Sequence, residues 1–246
     1  MYELLRNTYH RLRFYLKINW YKTVYFNFKM FPFAVAKKLP VYIYEWVKFT
    51  DLSGEVVIEA PIKRGMIGIG KHYEMTTRKL NIAEIVLEGK IIFRGYAQFG
   101  KDVFICVRKG AVLDFGYMTG VATQGKIICT HHIKFNTYAR IGSECQIIDT
   151  DFHQMLNTET GEKYPISQAI EIGAYNYVGR WSSIMKGTVT PSHCTIASNT
   201  LCNRDYTNYG KNILIGGIPA KLLKENISRD WEGERENLEK SLLAQF

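Results

Sequence analysis

Asp149-Thr-Asp-Phe-His153 sets an imidazole four and two residues after two carboxylates. Histidine titrates near neutral pH, at about 6.5 when unperturbed, so it suits removing a proton from an attacking group. A carboxylate that accepts from Nδ1 fixes the tautomer of such a base. Asp149 or Asp151 could serve, and so could a backbone carbonyl. Behind the imidazole runs a polar stretch, residues 153–169, with Gly161 and Pro165, which predicts a loop. A base that closes a strand and opens such an excursion stands beside space for an acceptor. The plainer readings are an exposed loop histidine and turn or corner roles for the two aspartates.

Five further histidines are present: His10, His72, His131, His132 and His193. The pair His131-His132 could supply a second histidine to a site or a metal ligand. Adjacent strand residues point to opposite faces, so at most one of them could aim at a common centre. A corner role is expected for the pair, and no metal. The five cysteines, Cys106, Cys129, Cys145, Cys194 and Cys202, show no CxxC spacing. They are expected to be buried small residues in a reducing cytoplasm.

The elements that would position these groups announce themselves by a period of six. Ile172, Val178, Ile184, Thr190, Ile196 and Cys202 follow one another at that spacing. Asn176, Ser182, Thr188, Cys194 and Thr200 come four residues after the first five, and all are short. This period is neither the 3.6 of a helix nor the 2 of a simple strand. It predicts a solenoid of short strands, each followed by a tight corner. One large apolar residue per strand points inward, and a short residue fits the bend. Gly100, Gly142, Gly173 and Gly179 at the second position are expected to let the backbone turn where a side chain would clash. Upstream of the loop the ladder from Phe99 is looser: Val107, Leu113 and Thr119 keep the spacing, Ile127 and Ile133 continue it, and Ile141 and Ile147 restore it after a two-residue insertion around Tyr138.

The chain has 246 residues, 46% hydrophobic and 22% charged, which is ordinary for a globular protein. Its start, MYELLRNTYHRLR, has no apolar core of a signal peptide, and no run approaches the ~18 apolar residues of a membrane span. The net charge is +9. Residues 1–48 carry nine Lys or Arg against two acids, and fourteen of the thirty-three aromatics. Such a segment suits an aromatic cap over the open end of a solenoid. It also suits peripheral contact with an anionic membrane, and less well a nucleic acid, which is not expected as a partner. Residues 1–50 are therefore taken as a basic, aromatic cap. Residues 51–221 form the solenoid with the excursion at 153–169, and 222–246 a helical tail in which Trp231, Leu238 and Leu242 fall at helical spacing. That helix is expected to be exposed or to contact another subunit.

The ladder IGAYNYVGRWSSIMKGTVTPSHCTIASNT, the segment Gly216-Gly-Ile-Pro-Ala-Lys221 and the motif DTDFH resemble the hexapeptide-repeat acyltransferases. Among them, the sugar O-acetyltransferases of surface-polysaccharide biosynthesis are the nearest in pattern. The resemblance spans about residues 51–225. It implies an all-β fold, a left-handed parallel β-helix with three six-residue faces per coil. It also implies a homotrimer with active sites between subunits, and transfer of an acetyl group from acetyl-CoA to a sugar hydroxyl. On that resemblance His153 is the general base with Asp151 and Asp149 near it. Ala197, Arg204, Gly217 and Lys221 are the expected contacts of coenzyme A. The sequence departs from the family at Tyr177-Val178-Gly179, Ala197-Ser198-Asn199 and Asn203-Arg204-Asp205. N-acetyl transfer to an amino sugar and a non-catalytic binding scaffold are the alternatives. The expected location is cytoplasmic, at or near the inner membrane surface.

Overall fold

A computed structural model describes residues 15–71 and 82–242. His10, His72 and the first fourteen residues of the cap lie outside them. The inward ladder is as the spacing predicts. Ile172, Val178, Ile184, Thr190, Ile196 and Cys202 are all buried, and so are the short residues Asn176, Ser182, Thr188, Cys194 and Thr200. The upstream phase from Phe99 to Ile147 is buried as well.

These columns are the interior of a three-faced parallel β-helix. The first face is a nine-stranded sheet that begins at Val41–Ile43 and ends at Ile213–Gly216 and Lys221–Glu225. The second has seven strands, from Val47–Leu52 to Leu201–Cys202. The third has five, from Glu55–Ile58 to Ile170–Ile172, and Val189 and Asp205 continue it as single bridges. Successive strands visit the first, second and third faces in turn, and neighbours within each face pair in parallel. Among the described strands only the last, Lys221–Glu225, runs antiparallel to its neighbour, and it closes the stack. In-register pairing stacks like on like. Phe93, Phe115 and Phe135 lie over one another inside the third face, with ring centroids 5.4 and 5.2 Å apart. Buried polar side chains pair with each other in the later coils. Thr190 Oγ1 donates to Asn176 Oδ1, and Asn176 Nδ2 donates to the Pro191 carbonyl.

The corners differ from expectation in one respect. The glycines at the second position make room and do not supply the turn. A Cβ on Gly173 would lie 2.3 Å from the Pro191 carbonyl oxygen, and one on Gly179 would lie 2.5 Å from the Ser198 nitrogen. The left-handed backbone falls two residues later, on residues with side chains. Asp102, Gln124, Glu144, Trp181 and Asn199 hold it at the corner between the first and second faces. Tyr138, Tyr175 and His193 hold it at the corner between the third and first.

The first end of the stack is covered. Helix α1 (Trp20–Met30) lies on the free edge of Val41–Ile43. Asn27 donates through Nδ2 to the Val41 carbonyl and accepts from the Val41 amide. Thr23 Oγ1 accepts from the Ile43 amide and lies 3.5 Å from its carbonyl oxygen. Two side chains one helical turn apart thus take the place of a missing strand, which an unprotected edge requires. A single turn, α2 (Phe33–Ala36), follows. At the other end of the chain, α3 (Trp231–Leu242) is not the free helix expected from its charge. Trp231 is buried, and with Leu238 it packs on Met118, Tyr138 and Tyr175. Tyr138, Tyr175 and His193 stack in a row there, with centroids 5.2 and 4.9 Å apart.

Candidate active site

The motif DTDFH lies where the second face should pass to the third. The strand Gln146–Ile148 ends, and the chain leaves the coil before returning at Ile170–Ile172. The bridge Thr150–Ser167 closes the neck of the excursion, and Leu156–Lys163 ties its outer part. Asp149 is buried at this neck. Its Oδ1 accepts from the Thr130 amide at 2.7 Å and from the Thr130 hydroxyl at 2.8 Å. Its Oδ2 accepts from the His131 amide at 2.8 Å. Asp149 is therefore occupied with the corner of the preceding coil. Asp151 is half-buried. Its carboxylate pairs with Lys186 from the corner of the following coil, and Lys186 also reaches the Pro165 carbonyl. The two aspartates fasten the excursion to the coils before and after it.

His153 stands beyond this neck and is exposed. Among the described residues its side chain makes no hydrogen bond, so neither aspartate orients it here. His131 is exposed at the same corner, and His132 starts the strand His132–Phe135 on the third face. Phe152, with left-handed backbone, and Met155 are exposed beside His153.

The other sequence-predicted contacts gather toward the end of the stack. Ala197 sits at the corner between the first and second faces, and its amide donates to the Ile215 carbonyl. Gly217 lies in the closing turn after Ile213–Gly216. It accepts at its carbonyl from the Leu201 amide and donates from its own amide to Thr200 Oγ1. Lys221 opens the last strand and is exposed. Arg204 comes from the corner after Leu201–Cys202 and reaches over the stack. It donates to the Ala220 carbonyl and to the Tyr209 hydroxyl, both at 3.2 Å, and lies over the Tyr206 ring. Its first role is to hold the closing turn.

Within one chain the two groups stand on opposite margins of the second face. Ala197 and Gly217 mark the margin where strands enter, and Asp149, Asp151 and His153 the margin where they leave. Between them an open groove of about 410 Å³ is lined by Gln124, Lys126, Glu144, Gln146, Trp181 and Ser183. Gln146 Nε2 donates to Ser183 Oγ at 2.9 Å. The Trp181 indole and the Arg180 guanidinium hold the Glu144 carboxyl below the usual carboxylate range. The same guanidinium lies 4.6 Å from the Trp181 ring centroid. These groove residues escaped the motif reading, yet a signal was available. Lys126, Gln146 and Ser183 each immediately precede an inward residue, Ile127, Ile147 or Ile184, so strand alternation turns all three outward.

No family model matches the chain, and no curated protein matches it. Solved structures do. One is the polysialic acid-specific acetyltransferase NeuO, 19% identical, with a TM-score of 0.47 over 77% of this chain and 78% of that one. Another is the polysialic acid O-acetyltransferase OatWY, 21% identical, TM-score 0.38, over 77% and 76%. A third is the N-acyltransferase AntD from Bacillus cereus in complex with dTDP and 3-hydroxybutyryl-CoA, 11% identical, TM-score 0.40, over 86% and 97%.

Proposed function

We propose that this chain transfers an acetyl group from acetyl-CoA to a sugar hydroxyl of a glycan or lipid-linked precursor, with His153 as general base. One observation carries this reading. An exposed imidazole, free of hydrogen bonds among the described residues, stands just beyond a neck that Asp149 and Asp151 fasten to two neighbouring coils. A base needs a fixed mount and a free nitrogen, and His153 has both.

In the reaction, an imidazole nitrogen of His153 takes the proton as the sugar oxygen attacks the thioester carbonyl. The new C–O bond leaves a tetrahedral oxyanion. Its collapse breaks the C–S bond, and the departing thiolate receives the proton from the imidazolium. Asp149 and Asp151 are positioning residues in this scheme, since their oxygens are engaged elsewhere. Ala197, Gly217 and Lys221 bind coenzyme A along the entering margin, and Lys221 meets a phosphate. Arg204 shapes the turn that the cosubstrate lies against.

The separation of the two groups favours a homotrimer in which the excursion of one subunit faces the entering margin of the next. The apolar side chains of the excursion, Phe152, Met155 and Leu156 among them, suit cover by another copy. The five cysteines are free and buried, which suits a cytoplasmic enzyme.

The test is His153→Ala, assayed by thiol release and by mass detection of the acylated sugar. Turnover should fall by roughly 10²–10⁴-fold while coenzyme A still binds. Undiminished turnover would remove His153 from the reaction. A product acylated on nitrogen would make the acceptor an amino sugar.

A further inference from the structure

Helix α1 has a buried inner side and an apolar outer one. Its inner side, with Thr23, Phe26 and Asn27, is buried on the first coil. Tyr21, Val24, Tyr25 and Phe28 fall at i, i+3, i+4 and i+7 on the opposite side, and each is between 44% and 75% exposed. Leu16 before the helix and Phe33 after it extend the patch, both at least 70% exposed. An ordinary surface helix puts charge where α1 puts these rings. Lys22 and Lys29, seven residues apart, lie on one flank of the helix, and Lys17, Lys37 and Lys38 are exposed in the adjoining chain. Lys22 lies over the Phe49 ring and Lys37 over the Phe33 ring. From residue 15 to residue 48 there is a single acid, Glu45, and it pairs with Lys101.

We propose that this outer side of α1 docks the protein on an anionic lipid surface. Aromatic rings favour the headgroup level, and a cationic rim gains from a negative leaflet. The charge is what commits the patch to lipid. A two-fold contact between copies would bring one lysine rim against another. No helix among the described residues is long and apolar enough to cross a membrane, so the mode is peripheral.

The fold also sets the geometry of docking. Because α1 closes the free edge of the first strand, its outer side faces away from the coils. Gln146–Ile148, which carries the DTDFH motif at its end, is the fifth strand of the second face counted from that end. At about 4.8 Å per strand, His153 stands about 19 Å along the stack from the first coil. An acceptor on a lipid would be met some distance out from the headgroups. The docking itself is independent of the proposed acetyl transfer.

The experiment uses the full chain and vesicles without substrate. Sedimentation is compared on phosphatidylcholine alone and on a mixture with phosphatidylglycerol. Binding should favour the anionic vesicles and weaken as salt is raised. Each surface cation contributes about a fivefold gain, so Lys22→Gln with Lys29→Gln should weaken binding at least tenfold. Tyr21→Ser with Phe28→Ser should weaken it by a similar factor while thermal unfolding and coenzyme A binding stay unchanged. Wild-type protein that ignores anionic vesicles overturns the proposal, and so does undiminished binding by both double variants. If the apolar variant instead alters the mass in light scattering and vesicles never bind, the patch is a contact between copies and the proposal falls.

Discussion

Thr130 and Asp149 are joined across one coil of the stack. The Thr130 amide and hydroxyl both donate to Asp149 Oδ1, at 2.7 and 2.8 Å, and the next amide, of His131, donates to Oδ2. The carboxylate is fully buried. Three donors on one buried charge make a strong anchor. Asp149→Ala should cost about 2–4 kcal/mol, because two amides lose their acceptor without gaining water. Asp149→Asn should cost less, since one oxygen remains. Urea unfolding distinguishes the two, and an Ala variant as stable as wild type would contradict the anchoring role.

The Asp151–Lys186 pair fastens the far side of the same neck. It is only partly buried, so Lys186→Met should change stability by no more than about 1 kcal/mol. Its effect should appear in catalysis. A loosened excursion should raise KM for the acceptor several-fold and leave coenzyme A affinity unchanged, and Lys186→Arg should restore it. A variant with unchanged KM would show that the pair is ornamental to the site.

Asn27 satisfies both backbone groups of Val41 at the start of the stack. Asn27→Leu keeps the branching of the side chain and removes the pairing, so a buried amide and carbonyl are left unpaired. The expected loss is about 2–4 kcal/mol. An exposed strand edge also invites pairing with other chains. Light scattering of the variant should therefore show higher-order species that Tyr21→Ser does not give.

Burial pushes the thiols of Cys194 and Cys202 up to about 12. At pH 8 the thiolate fraction of each is on the order of 10⁻⁴, so a disulfide reagent should leave both untouched in native protein and label them after unfolding. The same shift bears on stability. An unfolded thiol ionises from about 8.5 while the folded one holds its proton. The contribution is full below that value and is lost as pH rises toward 12. Replacing both cysteines by alanine should flatten the alkaline fall in the urea midpoint.

The period of six carried most of the fold, because the inward residues from Ile172 to Cys202 keep it strictly and in-register stacking repeats one solution through the looser coils before them. What it could not carry was whatever depends on a neighbour in space. Asp149 was legible as a carboxylate near His153. Its partners Thr130 and His131 lie one coil earlier, and no local spacing connects them. Arg204 was legible as a cation near the closing segment. Its engagement with the Ala220 carbonyl depends on how the last turn folds over the stack. The tail helix was read from its charged side, and Trp231 found a row of tyrosines drawn from three different coils. Trp181 stood in the ladder with no reading of its own. Its place at the groove follows from the corner it shares with Glu144 and Asn199.

That shared corner has a further consequence. Asp102, Gln124, Glu144, Trp181 and Asn199 hold the same backbone conformation, one above another, and none is glycine. The side chains of Gln124, Glu144, Trp181 and Asn199 leave the body of the protein from equivalent points, at the pitch of the strands. The interior asks nothing of them, so their identities are free to vary while the frame stays fixed. The margin behaves like a line of type, in which each character can be exchanged without resetting the page. New specificity can be written there one letter at a time.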